Sequence, residues 1–321
     1  MCTAIYDNLD GAFLGRTLDV EEDYGQSAVS VPEGTELDTK YEGKLKYGFS
    51  VIGTAFMAGG VPLFFDGLNS EGLAACALNF GSSCTYHSSK VNMLNLASYN
   101  VIPYALSQFS TVGQIEQAFS RLNVTNDSFG EISPTPLHWI FADKKEAITV
   151  ESVKDGTKIY KNEVGVLTNA PGFDYQLYRA SEIMNLSNEG PRDNLTDGSL
   201  FRYSRGMGAI GLPGDSSSVS RFMRTLFNKR FAERGGGGVT RMMHLFDSVD
   251  ITRGTVICED GTPSFTAYTS VMDLDEKAYY FTTYGNRQIR ALSIENGQNC
   301  KQICAYTMKS EQKIKFIDAD I

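Results

Sequence analysis

The sequence predicts an α+β fold in which two antiparallel β-sheets carry helices on their outer faces. Strand-like stretches occur in groups joined by short turns, which indicates hairpins and antiparallel pairing. Helical periodicity falls mainly in two regions between these groups, about 92–122 and 219–249. Strands and helices do not alternate regularly, so a doubly wound parallel sheet is disfavoured.

Composition limits the classes of partner. The chain has 321 residues, 42% of them hydrophobic, which is enough for one large domain or two modest ones. Its net charge of −9, with no basic block, makes nucleic acid and anionic membranes poor partners. We find no apolar run of the ~18 residues that a membrane span needs, and no apolar leader before the first strand. We therefore expect a cytoplasmic protein that binds neither nucleic acid nor membrane.

The cysteines and histidines predict neither a metal nor a cofactor. The spacing of the six cysteines matches no zinc pattern, and the three histidines are dispersed and expected to be structural. Scattered thiols fit a reducing cytosol better than a disulfide framework. The cysteines are Cys2, Cys76, Cys84, Cys258, Cys300 and Cys304.

Residues 1–19 predict a hairpin with unusual chemistry. Strand-like residues at 2–6 and 12–16 flank an Asp/Asn/Gly turn at 7–11. If Tyr6 faces Ala12, then Cys2 faces Arg16, and directly opposed residues share a face about 5 Å apart at Cβ. The pattern places a guanidinium beside a thiol, with Asp19 near enough to reach the chain terminus.

Removal of Met1, which a small second residue favours, would leave a thiol and a free α-amine on Cys2. Such an amine titrates near ~7.7–8.0, which suits a general base. A thiol is a strong nucleophile that an adjacent amine can activate, and Arg16 would stabilise its thiolate. Asp19 would hold or orient the amine. The alternative interpretation is that Cys2 is a small buried hydrophobic residue at the start of a strand. Its position alone leaves both interpretations open.

The first half of the chain is mostly strands, followed by helices. Residues 20–45 predict a long surface segment with short extended pieces, and 92–110 is helix-like with Pro103 inside it. A capping box at Thr111–Gln114 opens an amphipathic helix over 112–122. Asn79 ends a strand, where a lone Asn is ordinarily a turn residue. Strands are predicted over 46–56, 61–66 and 72–80.

The second half continues with strands and two helices. Helices are predicted over 219–233 and 240–249, and Arg221 in the first turn opposes the helix dipole, so we expect an anionic partner for it. Residues 185–200 read as a loop, and the tail as a strand or arm. Strands are predicted over 137–142, 147–152, 157–161 and 164–168, as one antiparallel meander, and over 265–274, 278–284 and 288–294.

Motifs along the whole chain resemble those of the choloylglycine hydrolases, an N-terminal-nucleophile family. The resemblance implies a four-layer αββα sandwich, one domain over 1–321 and a homotetramer. Within the family, the chain is most similar to bacterial enzymes that hydrolyse glycine- or taurine-conjugated bile salts. The motifs are MCTAI at 1–5, GRTLD at 15–19, DGLNSEGL at 66–73, LNF at 78–80, PLHW at 136–139, VES at 150–152, VLTN at 166–169, GLPGD at 211–215 and SRF at 220–222.

The resemblance also implies roles for single residues. Cys2 would be the nucleophile and its freed amine the base, while Arg16 and Asp19 would position thiolate and amine. Asn79, no longer a mere turn residue, would help to stabilise the oxyanion. The remaining implied members of the catalytic set are Asn169, as a second oxyanion residue, and Arg221, as the cation that ties the network together.

An amphipathic bile salt substrate implies an apolar pocket for a rigid steroid. The matching positions are Leu18, Tyr24, Phe65, Ile132 and Leu137, each of which could equally be ordinary core. Two alternatives stay open: a penicillin V acylase, whose relatives tend to have Tyr in place of Asn79, and a steroid-binding protein without catalysis. Ala170, Gly59–Gly60 and residues 81–87 depart from the usual family pattern, which leaves substrate preference open.

Overall fold

Two antiparallel sheets stack face to face in the computed structural model, which describes residues 1–295 and 300–316. In chain order the strands are β1 (Cys2–Asp7), β2 (Phe13–Val20), β3 (Ser27–Val31), β4 (Glu36–Asp38), β5 (Lys44–Lys46), β6 (Val51–Ala58), β7 (Val61–Asn69), β8 (Ala74–Asn79), β9 (Leu94–Ala97), β10 (Leu122–Thr125), β11 (Leu137–Ala142), β12 (Ala147–Val153), β13 (Gly156–Lys161), β14 (Val166–Leu167), β15 (Val256–Ile257), β16 (Pro263–Asp273), β17 (Ala278–Thr283), β18 (Asn286–Ser293) and β19 (Cys304–Thr307). The α-helices are α1 (Val101–Gln108), α2 (Val112–Phe119), α3 (Phe173–Ala180), α4 (Ser218–Phe231) and α5 (Gly238–Asp247).

The two sheets are interleaved along the chain. The first sheet has the order β14-β1-β2-β16-β17-β18, with β15 at the edge of β16. The second has the order β13-β12-β11-β8-β7-β6-β3-β19. A core of side chains such as Leu14, Ile52, Cys76 and Tyr268 fills the space between them. The predicted pairing of antiparallel sheets is confirmed.

Helices cover the outer face of each sheet and complete four layers. Helices α1 and α2 pack on the second sheet, around buried residues such as Leu106 and Trp139. Helices α4 and α5 pack on the first sheet, where Phe246 contacts a smaller core around Phe13. The αββα class predicted from the sequence is therefore confirmed. None of the described helices is long and apolar enough to cross a membrane.

The predicted register of the first hairpin is wrong. Tyr6 pairs with Leu14 rather than Ala12, and Cys2 pairs with Leu18 rather than Arg16. Strand β1 continues to Asp7 because Arg241, far along the chain, donates to its carboxylate at 2.9 Å. The slip is two residues in total, so the same side chains stay on the same face.

Strand β14 departs from the predicted meander. The first three strands of the meander pair as expected, but β14 crosses to the first sheet and pairs with β1, with Leu167 opposite Ala4. The prediction that residues 164–168 form the last strand of the meander is wrong. The chain leaves the meander at a turn that Asn162 holds by donating to Val166 O at 3.0 Å. The crossover carries Asn169 to the start of β1.

Other differences lie in segments of mixed pattern. The 20–45 segment contains the buried strand β3, and the strand predicted over 46–56 begins at Val51. The helix-like 92–110 stretch divides into β9 and α1, and α3 was not predicted. Cys300 and Cys304 form a disulfide, against the expectation of scattered thiols. The capping box at the start of α2 is confirmed.

Candidate active site

The Cys2 sulfur lies against the Arg16 guanidinium. Arg16 Nη2 donates to Cys2 Sγ at 2.7 Å, and both residues are buried. Arg16 lies opposite Ala4, so it reaches Cys2 as a diagonal neighbour on the same face. Arg16 Nη1 donates to Ala77 O at 2.7 Å and to Phe65 O at 3.2 Å. A β-bulge in β7 takes Phe65 out of its pairing with β6, which leaves its carbonyl oxygen for Arg16.

Asp19 is fixed by hydroxyl groups on two strands. Its Oδ1 accepts from Thr266 Oγ1 at 2.6 Å, and its Oδ2 accepts from Thr17 Oγ1 at 3.3 Å. A bulge in β16 between Thr266 and Tyr268 aligns Thr266 with Asp19. The Asp19 carbonyl oxygen accepts from the α-amine of Met1, whose own carbonyl accepts from Asp19 N at 2.9 Å. The backbone of Asp19 is thus held beside the chain terminus, while its carboxylate is fixed by the two threonines.

Asn169 and Arg221 enclose the backbone of Cys2. Asn169 Oδ1 accepts from Cys2 N at 2.8 Å and from Arg221 Nη2 at 2.6 Å. Arg221 Nη1 donates to Cys2 O at 2.5 Å and to Thr3 Oγ1 at 2.6 Å, and its Nε donates to Ser216 O at 3.0 Å. Burial lowers the pKa of this guanidinium. The hydrogen bonds of Arg221 go to neutral oxygens, and the anion expected near it is the Asp19 carboxylate, whose charge acts to raise the pKa of the guanidinium.

Local structure places Asn169 and Arg221 together. Asn169 follows β14 directly, so the pairing of β14 with β1 brings it beside Cys2. Its backbone N donates to Ser218 Oγ at 3.0 Å, and Ser218 begins α4, which carries Arg221 one turn later. Asn169, which contacts Cys2, therefore links the end of β14 to the start of α4.

Asn79 is the last residue of β8, and only one of its two polar side-chain atoms has a hydrogen-bond partner among the described residues. Its Oδ1 accepts from Gly81 N at 2.9 Å, and its carbonyl oxygen accepts from Asn169 Nδ2 at 2.7 Å. The Asn79 Nδ2 group has no hydrogen-bond partner among the described residues, and the residue lines the cavity beside Cys2. An amide donor therefore remains available to a bound molecule.

An apolar cavity of about 540 Å³ opens beside the sulfur. Met1, Cys2, Arg16, Asp19 and Asn79 line one part of it. All five positions predicted for the substrate pocket line it too: Leu18, Tyr24, Phe65, Ile132 and Leu137. Apolar lining that the sequence did not single out comes from Val20, Phe56, Leu63, Phe64, Phe129 and Pro134.

A buried carboxylate behind Arg16 was not predicted. Asp66 Oδ2 lies 4.0 Å from Arg16 Nε, and both side chains are fully buried. Tyr279 OH donates to Asp66 Oδ1 at 2.6 Å, and Tyr268 OH donates to Asp66 Oδ2. Burial raises the pKa of Asp66, while Arg16 and the two hydroxyls act in the opposite direction. The signal in the sequence was an Asp inside an apolar strand, between Phe65 and Leu68.

A second buried pair supports the Asn169 segment. His138 Nδ1 lies 3.2 Å from Glu151 Oε1, and His138 Nε2 lies 2.7 Å from Thr168 O. The imidazole stacks on Phe80, the neighbour of Asn79, with ring centroids 4.3 Å apart. One side chain thus contacts the residues next to both asparagines.

Comparison with known proteins gives a consistent picture. The family model for linear amide C–N hydrolases of the choloylglycine hydrolase family matches residues 2–306. A bile salt hydrolase/transferase of Lactiplantibacillus plantarum is 37% identical, over 97% of this chain and 98% of the relative. A bile salt hydrolase/transferase of Clostridium perfringens is 31% identical, over 92% of each chain.

Solved structures share the fold. A mutant of the conjugated bile acid hydrolase from Clostridium perfringens superposes with a TM-score of 0.92 at 28% identity, covering 99% of this chain and 100% of the other. The penicillin V acylase from Agrobacterium tumefaciens has a TM-score of 0.76 at 17% identity, over 97% of this chain and 94% of the other. The second likeness concerns the fold alone.

Proposed function

Because the chain belongs to the choloylglycine hydrolase family of linear amide C–N hydrolases, we propose that it hydrolyses the amide bond of glycine- or taurine-conjugated bile salts. One observation carries the proposal. The Cys2 sulfur, in contact with Arg16, lies at an apolar cavity of about 540 Å³. A conjugated bile salt has a rigid apolar steroid with an amide on its side chain, which matches a large apolar cavity with a nucleophile in its wall.

The reaction begins once Met1 is removed. The freed Cys2 amine takes the proton of the thiol, and the thiolate, stabilised by Arg16, attacks the carbonyl carbon of the amide. A sulfur–carbon bond forms and the carbonyl oxygen becomes an oxyanion. Collapse breaks the carbon–nitrogen bond, the amine's proton goes to the departing glycine or taurine, and an acyl-thioester remains on Cys2. Water then attacks the thioester with the amine as base, which releases the bile acid and restores the thiol.

The other polar residues stabilise or position the groups that react in this cycle, namely the oxyanion, the Cys2 nucleophile and the amine. Amide N–H groups of Asn79 and Asn169 act on the oxyanion, where one donor is worth ~3–4 kcal/mol. Arg221 contacts both Cys2 O and Asn169 Oδ1, so it holds the nucleophile and a donor in one geometry. Asp19 orients the amine from a position that Thr266 maintains.

The steroid lies on the apolar wall. Leu18 is paired with Cys2 across the hairpin, so it lies next to the residue that carries the reacting sulfur. The rings of Tyr24 and Phe65 stack with their centroids 6.4 Å apart and form one side of the cavity. Ile132 lies in the segment before β11, and Leu137 is the first residue of β11. Together they complete the apolar contact surface of the cavity.

The enzyme works in the cytoplasm as a homotetramer. The free thiols of Cys2, Cys76, Cys84 and Cys258 support a reducing location, and the Cys300–Cys304 disulfide is the exception. Exposed apolar side chains near 195–210, including Phe201 at 82% and Leu195 at 87% exposure, support assembly with further copies. Light scattering coupled to size exclusion measures the assembly, and a monomer at micromolar concentration would contradict this part of the proposal.

The test is a panel of conjugates with the purified protein. Glycocholate and taurocholate should release glycine and taurine, and Cys2→Ala should bind the conjugates without releasing either. A native protein that binds conjugates but releases no amino acid would be a steroid-binding protein. A kcat/KM that is much higher for penicillin V than for glycocholate would assign the chain to the acylases instead.

A further inference from the structure

Arg16 is a fully buried cation whose hydrogen bonds are mostly to neutral groups. Its Nε donates to Thr17 O at 3.2 Å, and its Nη1 donates to the carbonyl oxygens of Phe65 and Ala77. These carbonyls fix the plane of the guanidinium but supply no net charge. Two groups that touch or approach Arg16 can carry a negative charge, the Cys2 sulfur at 2.7 Å and the Asp66 carboxylate at 4.0 Å.

Burial raises the pKa of the Asp66 carboxyl, and Arg16 together with two tyrosine hydroxyls opposes that effect. Each of its oxygens accepts a tyrosine hydroxyl, one from Tyr268 and one from Tyr279. Tyr268 OH has no second acceptor among the described residues, so it donates to the carboxylate. Thr54 Oγ1 lies 2.5 Å from Tyr279 OH and continues the chain of hydroxyls. Hydrogen bonds to the charged form favour the ionised carboxylate.

The charged and titratable groups around Asp66 come from four strands. Arg16 faces it from β2, Tyr268 from β16, Tyr279 from β17 and Cys76 from β8, the residue with which Asp66 pairs. Burial and then Asp66 raise the pKa of the Cys76 thiol, so this neighbour adds no charge. Arg16 is the cation of this cluster within the described chain.

The proposed reaction changes the charge on one side of Arg16. The sulfur is an anion before attack and a neutral thioester after it. A buried guanidinium that loses its anion is costly, because a charge taken out of water needs a partner. We propose that Asp66 is the permanent counter-ion of Arg16, which keeps the guanidinium neutralised and in place while the Cys2 sulfur gains and loses its charge. This role rests on the proposed function, and it makes Asp66 a positioning residue that acts through Arg16.

The test measures sulfur chemistry rather than bile salt turnover. In the mature enzyme, the rate of Cys2 alkylation by iodoacetamide is followed against pH by mass spectrometry of the N-terminal peptide. In Asp66→Asn the thiolate becomes the sole anion for Arg16, so the midpoint of the alkylation profile should fall by about one pH unit, a tenfold change in thiolate population. An unchanged midpoint would overturn the proposal.

Two control variants test whether the effect depends on the negative charge at position 66 and on its place in the fold. Asp66→Glu keeps the charge and should restore the wild-type midpoint. Asp143→Asn removes another buried carboxylate, one that accepts backbone N–H groups such as Val112 N at 2.8 Å, in a residue whose carbonyl oxygen accepts from Tyr6 OH at the far end of β1. It should leave the midpoint unchanged, and a shift equal to that of Asp66→Asn would overturn the specific role.

If Asp66→Asn does not fold, wild-type enzyme answers the same question. Infrared difference spectra between free and alkylated enzyme should show no new protonated carboxyl group. A new band that persists in Asp19→Asn would mean that Asp66 takes up a proton when the sulfur is blocked, which would overturn the proposal. Neither readout uses a bile salt, so failure of the proposed function leaves both interpretable.

Discussion

Replacing Asn79 by Asp tests the oxyanion site with little change in shape. The Asn79 Oδ1 atom accepts from Gly81 N at 2.9 Å, and a carboxylate oxygen can keep that contact. The Nδ2 donor, which has no partner among the described residues, is lost. The substitution therefore removes the feature that the proposed reaction uses and preserves the local backbone.

The expected magnitude follows from what one donor contributes. A preorganised oxyanion donor is worth ~3–4 kcal/mol, so kcat should fall about 10²–10³-fold. The added negative charge opposes the oxyanion and acts in the same direction. KM should change little, because an interaction made only in the transition state contributes nothing to ground-state binding.

The assay is release of glycine from glycocholate at saturating substrate, with thermal unfolding measured in parallel. Asn8→Asp, an exposed asparagine in the turn between β1 and β2, is the matched control and should leave kcat close to wild type. A fall in kcat of less than about tenfold, with an unchanged melting temperature, would refute the role of Asn79.

Three further substitutions test other parts of the site. Thr266→Val removes the 2.6 Å hydrogen bond to Asp19, and kcat/KM should fall about tenfold because a hydrogen bond to a charged group is worth ~1.5–3 kcal/mol; an unchanged value would show that Asp19 needs no support. Glu151→Gln breaks the buried pair with His138, and urea denaturation should show a loss of about 3 kcal/mol; a loss below about 1 kcal/mol would contradict that pairing. Phe65→Ala removes apolar contact from the cavity, and KM for glycocholate should rise about tenfold at similar kcat, whereas a change in kcat alone would place Phe65 outside the steroid site.

The parts of the fold that local pattern determines could be predicted from the sequence. The hairpin around Gly72 and the capping box at Thr111 depend on neighbouring residues, and both are present. The sheet that receives β14 could not be predicted, because it depends on contacts between strands far apart in sequence. The register of the first hairpin failed for the same reason, since Arg241 extends β1 at Asp7.

The residues of the candidate site were also predicted where the signal is local and missed where it depends on distant contacts. Cys2 and Arg16 were placed together although the predicted register was wrong, because a two-residue slip preserves the face and arginine is long enough to span the difference. Asn169 and Arg221 came from the family resemblance, since neither has a local signal for the terminus. Asp66 was missed because its partners, the two tyrosines, lie more than 200 residues away.

Rapid-quench mass spectrometry of the enzyme with glycocholate shows whether Cys2 is the nucleophile. We expect an intact mass without Met1, and an N-terminal peptide carrying the bile acyl group as a thioester on Cys2 at short times. Fully active enzyme that retains Met1, or steady turnover with Cys2→Ala, would contradict this expectation.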